Sequence, residues 1–233
     1  MTPFKLSEEL LDQINSDIVA QNNNALQTLV KEYHFADLAE IFEALQIDQA
    51  VYLFKLIDSE KSADMLPELD EDVRESILDA LSSGEIATEI EELDTDDAVD
   101  IIAELSDEVR IEVINQISDT EHADDIRELL TYDENSAGGL MAKELVCVNQ
   151  NWTVTRCVRE MRIQAQEVTR VHSIYVVDNE NILLGRLSLK DLLTANEKSK
   201  IKSVYIPKVD YVTIDEEGDC LLYTSPSPRD LST

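Results

Sequence analysis

The sequence predicts an α+β protein in two parts. An N-terminal all-α, superhelical (solenoid-like) domain comes first, and a small domain of alternating strands and helices follows. Three observations predict this. Apolar residues recur every twelve positions between Phe35 and Leu129. From Glu144 onward, β-branched runs alternate with short helical patterns. Between the two regions Gly138 and Gly139 stand side by side in a chain of only five glycines, which marks a place where backbone bends or is approached closely.

The N-terminal stretch carries one amphipathic pattern over Leu6, Leu10, Leu11, Ile14 and Ile18. Gln21-Asn22-Asn23-Asn24 interrupts it, and Ala25, Leu26, Leu29 and Val30 restart it. The stricter order then begins: Leu45, Ile57, Leu69, Leu81, Leu93, Leu105, Ile117 and Leu129. Three positions before each stands Phe42, Phe54, Leu66, Leu78, Ile90, Ile102, Ile114 or Ile126. Four before, the series is Ile41, Leu53, Met65, Ile77, Glu89, Ile101, Val113 and Asp125. Such a set lies on one face of a short helix. The next residue in the first seven units is Gln46, Asp58, Asp70, Ser82, Asp94, Ser106 or Ser118, mostly good N-caps. Ser82 with Glu85 and Ser118 with Glu121 have capping-box spacing. Each unit is then about two helical turns plus a cap, roughly 12–15 Å long. Helices this short persist only when stacked neighbours bury their stripes.

Asp and Glu number 50 against 19 Lys and Arg, giving a formal net charge of −31. A hydrophobic fraction of 43% is too high for a disordered acidic tail. The chain is expected to fold under strong self-repulsion, which disfavours nucleic acid and anionic membrane surfaces and favours cations or a basic protein. Cys147, Cys157 and Cys220 show neither metal spacing nor an even-numbered framework, and fit a reducing compartment. Cys147 and Cys157 read as small buried hydrophobes. No apolar run approaches membrane-spanning length, and Met1 to Ala20 lacks a signal-peptide core.

Most of the acids read as outer-face or first-turn residues. Asp94-Thr95-Asp96-Asp97-Ala98-Val99-Asp100 stands out. Asp96 and Asp100 are four apart on one helix face with no base between them. Two carboxylates about 5 Å apart repel by roughly 1–3 kcal/mol at effective dielectrics of about 80 to 20. A hard divalent cation would relieve this. On spacing alone a solvated face outweighs a metal site.

In the second half, Glu144 to Val148 starts a strand and Asn151-Trp152-Thr153-Val154 caps a helix running through Met161 and Ile163. Val171 to Val177 is β-rich, Asp178-Asn179-Glu180-Asn181 is a turn, and Ile182 to Leu187 is the return strand. Ser188 caps a helix over Leu189, Leu192 and Leu193, and Tyr211 to Ile214 reads as a fresh strand. His34 and His122 read as isolated helical histidines, and His172 as a packed or exposed strand residue. No nucleophile–base pair, Walker loop or zinc spacing occurs, so no enzymatic activity is expected. From Cys220 the character changes, and two prolines preclude the helix due after a new strand. Residues 220–233 read as a non-native tail.

Leu130-Thr131-Tyr132-Asp133-Glu134-Asn135-Ser136-Ala137-Gly138-Gly139-Leu140-Met141, Asn151-Trp152-Thr153-Val154, Tyr175-Val176-Val177-Asp178 and Leu187-Ser188-Leu189-Lys190-Asp191-Leu192 together resemble the cytosolic part of the MgtE family of magnesium channels. The resemblance runs to about Gly218, with the S-A-G-G-L-M junction its most specific piece. It implies an acidic helical N domain over residues 1–133 and a glycine-containing joint at 134–141. A first CBS motif would cover 142–198, and the start of a second, truncated before the membrane pore, 199–219. It implies a magnesium-sensing, gate-regulating role in which Mg2+ bridges the N domain and the CBS module to favour the closed state. Carried over by position, Asp64, Asp96, Asp100 and the carbonyl of Gly139 are the bridging groups. The CBS groove of some members binds an adenine nucleotide. Lys190 and Asp191 match the S-L-[RK]-D position that would face it, while Ser173 stands where an aromatic is common. The implied partners are Mg2+, the absent second CBS motif and membrane domain, and a second copy in a full-length homodimer, with no nucleic acid. The implied place is the cytoplasmic face of the cell membrane, the fragment itself being soluble.

Two other readings remain open. A helical protein-interaction module, similar to the middle region of a flagellar rotor switch protein, would explain the repeat without the CBS half. A CBS-type nucleotide-sensing regulatory domain would explain the second half without magnesium.

Overall fold

A computed structural model describes residues 4–165, 168, 171 and 173–219. His172 and the expected non-native tail at 220–233 lie outside the described residues. The chain divides into two compact units. One holds the chain up to Leu93 together with Asp97–Arg127, and the other holds Asp94–Asp96 and the chain from Glu128. The boundary therefore falls near residue 128, and the glycine pair lies inside the second unit.

The twelve-residue order produces a run of short helices: α1 (Glu8–Val19), α2 (Asn23–Glu32), α3 (Phe35–Glu43), α4 (Ile47–Phe54), α5 (Ser59–Met65), α6 (Glu71–Asp79), α7 (Ser83–Ile90), α8 (Thr95–Glu104), α9 (Asp107–Gln116) and α10 (Thr120–Leu129). Every residue of the central apolar series, Phe42 through Ile126, is buried. Packing runs between second neighbours: α3 on α5, α4 on α6, α5 on α7 and α7 on α9. Adjacent short helices thus point their stripes into one core while alternate helices stack.

That step explains where the array's polar groups go. Arg74 donates to the carbonyls of Leu66 and Leu69, Arg110 to those of Ile102, Ala103 and Leu105, Lys61 to Val30 O at 2.6 Å and Lys55 to Ala80 O at 3.0 Å. These bases satisfy carbonyls at or just past helix C-termini that have no partner inside the helix. Acids serve the opposite ends. Glu43 accepts from Asp70 N at 3.3 Å, and Glu91 from the N–H groups of Ser118 and Asp119. Of the expected caps Ser82 forms one, while Asp58, Asp70 and Ser106 stand at helix starts without a side-chain cap hydrogen bond. Ser82 and Glu85 make a reciprocal capping box, and its Ser82 N–H, then its hydroxyl, hold the Glu85 carboxyl below the usual range. At α10 the cap is Asp119, which accepts from Glu121 N and His122 N, and not the expected Ser118. Ser118 N–H donates to Glu91 instead.

Two members of the apolar series are acids, Glu89 and Asp125. Glu89 sits where its equivalents are mostly aliphatic, with its Oε2 2.6 Å from the fully buried Ser62 Oγ. Burial pushes the Glu89 carboxyl up to about 7, with Glu92 and Asp58 adding to the rise and Ser62 opposing it.

The second unit is a three-stranded sheet with helices: β1 (Val146–Asn149), α11 (Val154–Gln164), β2 (Ile174–Val177), β3 (Leu183–Leu187) and α12 (Leu189–Thr194). The order is β1-β2-β3, with β1 parallel to β2 (Val146 beside Ile174) and β2 antiparallel to β3 (Ile174 beside Leu187). Alternation puts Val146, Val148, Ile174, Val176 and Leu187 in a core with Val154, Cys157, Met161, Leu192 and Ile201. Thr153 caps α11 by accepting from Arg156 N. Cys157 is buried as expected, and burial raises its thiol to about 11. Cys147 is only half-buried, and Gln164 bonds its backbone on both sides.

The expected strand at Tyr211–Ile214 does not form. Its side chains are exposed, Tyr211 by 79%. Ile214 and the residues after it serve the glycine loop instead: Gly138 N donates to Ile214 O, Ala137 N to Glu216 O and Gly218 N to Asn135 O. Neither Gly138 nor Gly139 has a positive φ. Both are there because of close approach. A Cβ on Gly138 would meet the Tyr132 ring at 2.9 Å, and one on Gly139 would overlap the Asp133 carbonyl.

Candidate functional site

Two groups of residues carry chemistry. The first is the acidic set expected to meet a divalent cation. Asp64 lies exposed near the end of α5, and Asp96 and Asp100 sit one turn apart in α8, half-buried and exposed respectively. Asp64 and Asp100 belong to the first compact unit, Asp96 and Gly139 to the second. Asp100 has a basic neighbour that sequence spacing hid. Arg74 lies within electrostatic reach of it while pairing with Glu104 at 2.5 Å, and that pair is the main cause of a raised Arg74 pKa, with Glu71 and Asp100 adding to it.

The start of α8 is fixed by an acid outside the helix. Thr95 is buried, its N–H donates to Glu144 Oε1 at 3.0 Å and its hydroxyl to Oε2 at 2.9 Å, while Lys143 N donates to Thr95 Oγ1 at 2.9 Å. Glu144 thereby does the work of an N-cap side chain. Gly139 is half-buried and donates to Ser136 Oγ at 3.2 Å. Among the described residues no backbone N–H donates to its carbonyl.

Among the described residues no group of three or more His, Cys, Asp or Glu side chains converges as a metal cluster. Carboxylate and carbonyl oxygens are nevertheless the donors that Mg2+ prefers. Mg2+ keeps several waters and commonly takes only one or two carboxylates, so the residues present fit it in chemistry.

The second group lines a cavity of about 550 Å³ in the α+β unit, within the usual size of small-molecule sites. Lys190 and Asp191, at the start of α12, both line it, as do Ser173, Ser188 and Arg186 with Ile206 as an apolar wall. Sequence reasoning named Lys190 and Asp191 and missed Arg186. The signal for it was the strand alternation ending at Leu187, which fixes the side of the sheet that Arg186 takes. Two cations and two hydroxyls suit phosphate oxygens, and one carboxylate suits a ribose hydroxyl. Among the described residues none that lines the cavity is aromatic.

Comparison with known proteins matches the two parts of the chain to two families. The MgtE intracellular N domain family matches residues 33–135, and the CBS domain family matches residues 137–198. The magnesium transporter MgtE of Thermus thermophilus is 39% identical over 88 residues, 38% of this chain and 20% of the relative. That of Enterococcus faecalis is 30% identical over 95 residues, 41% of this chain and 21% of the relative. The chain thus spans about a fifth of the length of the curated relatives it matches. A crystal structure of the cytosolic domain of the Mg2+ channel MgtE in complex with ATP superposes with a TM-score of 0.84 at 26% identity, over 91% of this chain and 87% of that one. A crystal structure of the soluble part of a magnesium transporter gives 0.80 at 25% identity, over 97% and 88%. Among the described residues no helix is long and apolar enough to cross a membrane.

Proposed function

Because this chain belongs to the MgtE family, we propose that it is the magnesium-responsive cytosolic part of a magnesium channel or transporter. Asp64, Asp96 and Asp100, with the Gly139 carbonyl, offer hard oxygen donors to the cation. Their mutual repulsion favours separation of the acidic helical domain from the CBS module when magnesium is scarce. Bound Mg2+ supplies the positive charge that offsets this repulsion, and the closed state of the pore is then favoured. In the full-length protein this part works at the cytoplasmic face of the membrane, as a homodimer attached to the pore, and in a regulatory and non-enzymatic role. The observation carrying the reading is the Asp96–Asp100 pair one turn apart on α8, together with the available carbonyl of Gly139.

Small-angle scattering and protease sensitivity near Gly138, with and without magnesium at matched ionic strength, test it. Magnesium should compact and protect the chain, and Asp96→Asn/Asp100→Asn should lose most of the response. Equal compaction by matched sodium, or an unchanged response in the double variant, would reject this assignment.

A second reading concerns the cavity beside α12. An adenine nucleotide fits its two cations, two hydroxyls and one carboxylate, and the neighbour named above was crystallised with ATP. Calorimetric titration with ATP should show binding that Lys190→Ala weakens by about tenfold, the typical worth of a charge-assisted hydrogen bond. Undiminished binding in that variant would remove Lys190 from the site.

A further inference from the structure

The helical unit carries a groove of about 730 Å³ bounded by α6, α7 and α9 that the magnesium reading does not use. Its floor is apolar, formed by Leu78, Leu81, Ile86, Leu105 and Val109. Its rim is acidic. Glu75 and Asp79 stand one turn apart on α6, and both are exposed. Across from them are Glu104, paired with Arg74, and Glu112, which accepts from Ser83 Oγ at 2.9 Å. Among the described residues none donates a hydrogen bond to, or forms an ion pair with, the carboxylate of Glu75 or Asp79.

The groove is open because one repeat departs from the others. Three positions after each repeat leucine or isoleucine stand Asp48, Glu60, Asp72, Asp96, Glu108 and Thr120, but Gly84 in this unit. Glycine inside a helix costs up to about 1 kcal/mol relative to alanine. Here it also removes the side chain that would project into the groove. A Cβ at Gly84 would meet only the movable end of Gln116, at 2.9 Å.

We propose that this groove docks an amphipathic basic helix of a partner protein. An apolar floor takes the apolar stripe of such a helix, and an acidic rim on both walls takes Lys and Arg flanking that stripe on either side. An acidic or neutral helix would leave the rim carboxylates facing like charge or no partner. A small polycation without an apolar stripe would leave the floor uncovered.

The test uses the full chain and a fluorescent Leu/Lys peptide with leucines at i, i+3, i+4 and i+7 spacing and lysines on both flanks, read by anisotropy. The same composition scrambled, the Leu/Glu counterpart and spermine as competitor are run beside it. Glu75→Gln/Asp79→Asn and Gly84→Leu should each weaken binding by about tenfold, the first through charge and the second by filling the groove without removing any. Glu40→Gln/Glu60→Gln removes equal charge elsewhere on the array and should change affinity less than about twofold. Circular dichroism confirms that each variant keeps its helices. The proposal is overturned if the scrambled peptide binds as well, if spermine displaces the peptide as effectively as an unlabelled copy does, if the Glu40/Glu60 control weakens binding equally, or if Gly84→Leu binds normally.

Discussion

The two compact units use charge and glycine in opposite ways. Residues 1–127 hold 34 Asp and Glu against 7 Lys and Arg, while residues 128–233 hold 16 against 12. The helical stretch has a single glycine, Gly84, and the rest of the chain has four. In the array the few bases are mostly committed to helix C-termini, as with Arg74, Arg110, Lys55 and Lys61. The acids are left in surplus, and only some, such as Glu43 and Glu91, are committed to helix starts. In the α+β unit the charges are nearer to balance, and tight backbone contacts hold strand and loops: Gly185 beneath Tyr205 and Ile206, Gly139 against Asp133, Gly218 against Asn135. Repeated side-chain stripes hold the first unit, and local backbone fit holds much of the second.

The largest effect expected of this contrast is on the stripe. Ile102 is fully buried, and Ile102→Asp should cost on the order of 4 kcal/mol by placing a carboxylate in an apolar core. A urea denaturation curve that moves by less than about 1 kcal/mol would break the claim that the repeat positions are the core.

Glycine substitution sharpens the comparison, because its sign should differ between the units. At Gly185 a Cβ would overlap the Ile206 carbonyl and press the Tyr205 ring at 2.8 Å, where backbone hydrogen bonds between Arg186 and Ile206 hold the approach closed. Gly185→Ala should therefore cost about 2–3 kcal/mol. At Gly84 the obstacle is the end of one glutamine, and the helix gains propensity, so Gly84→Ala should be neutral or stabilise by about 0.5 kcal/mol. Thermal melts of the two variants measured together decide it. Equal losses would mean that the two glycines serve the same purpose.

These contrasts also show what was legible in the sequence. The short helices were, because an apolar triplet every twelve residues has few other ways to be buried. Lys190 and Asp191 were placed together because they are adjacent. What depended on distant partners was not legible. Tyr211–Ile214 looks like a strand, but the Ile214 carbonyl serves the glycine loop. Gly138 and Gly139 read as a joint, whereas hydrogen bonds tie this loop to residues 214–218. Arg74 lies about two repeats away in sequence from Asp100 and Glu104, a separation that only the stacking of alternate helices closes.

The smallest expected effect is confined to a pH window and concerns Glu89, one of the two acids in the apolar series. Ser62 has one hydroxyl proton and three acceptors in range: Asp58 O, Ser59 O and Glu89 Oε2. If the hydroxyl bonds back to its own helix, the 2.6 Å contact needs a proton on Glu89. Burial raises Glu89 from 4.5 to about 7, against the lowering effect of Ser62. An acid raised in this way holds its proton more tightly folded than unfolded, so its part of the stability falls as pH climbs from about 4.5 to about 7 and then levels off. Glu85, Glu128 and Glu160 are lowered instead, and their contributions are lost only as pH falls below the ordinary carboxylate range. The two windows do not overlap. Glu89→Gln keeps a donor for Ser62 and cannot ionise. The wild type should lose thermal stability relative to Glu89→Gln between about pH 4.5 and about pH 7, with the two curves parallel outside that range. Because Glu89 keeps partial contact with water, screening makes the difference modest. Parallel curves throughout would mean that Glu89 is ionised in the folded array, and that the acid at this stripe position resembles its exposed neighbours.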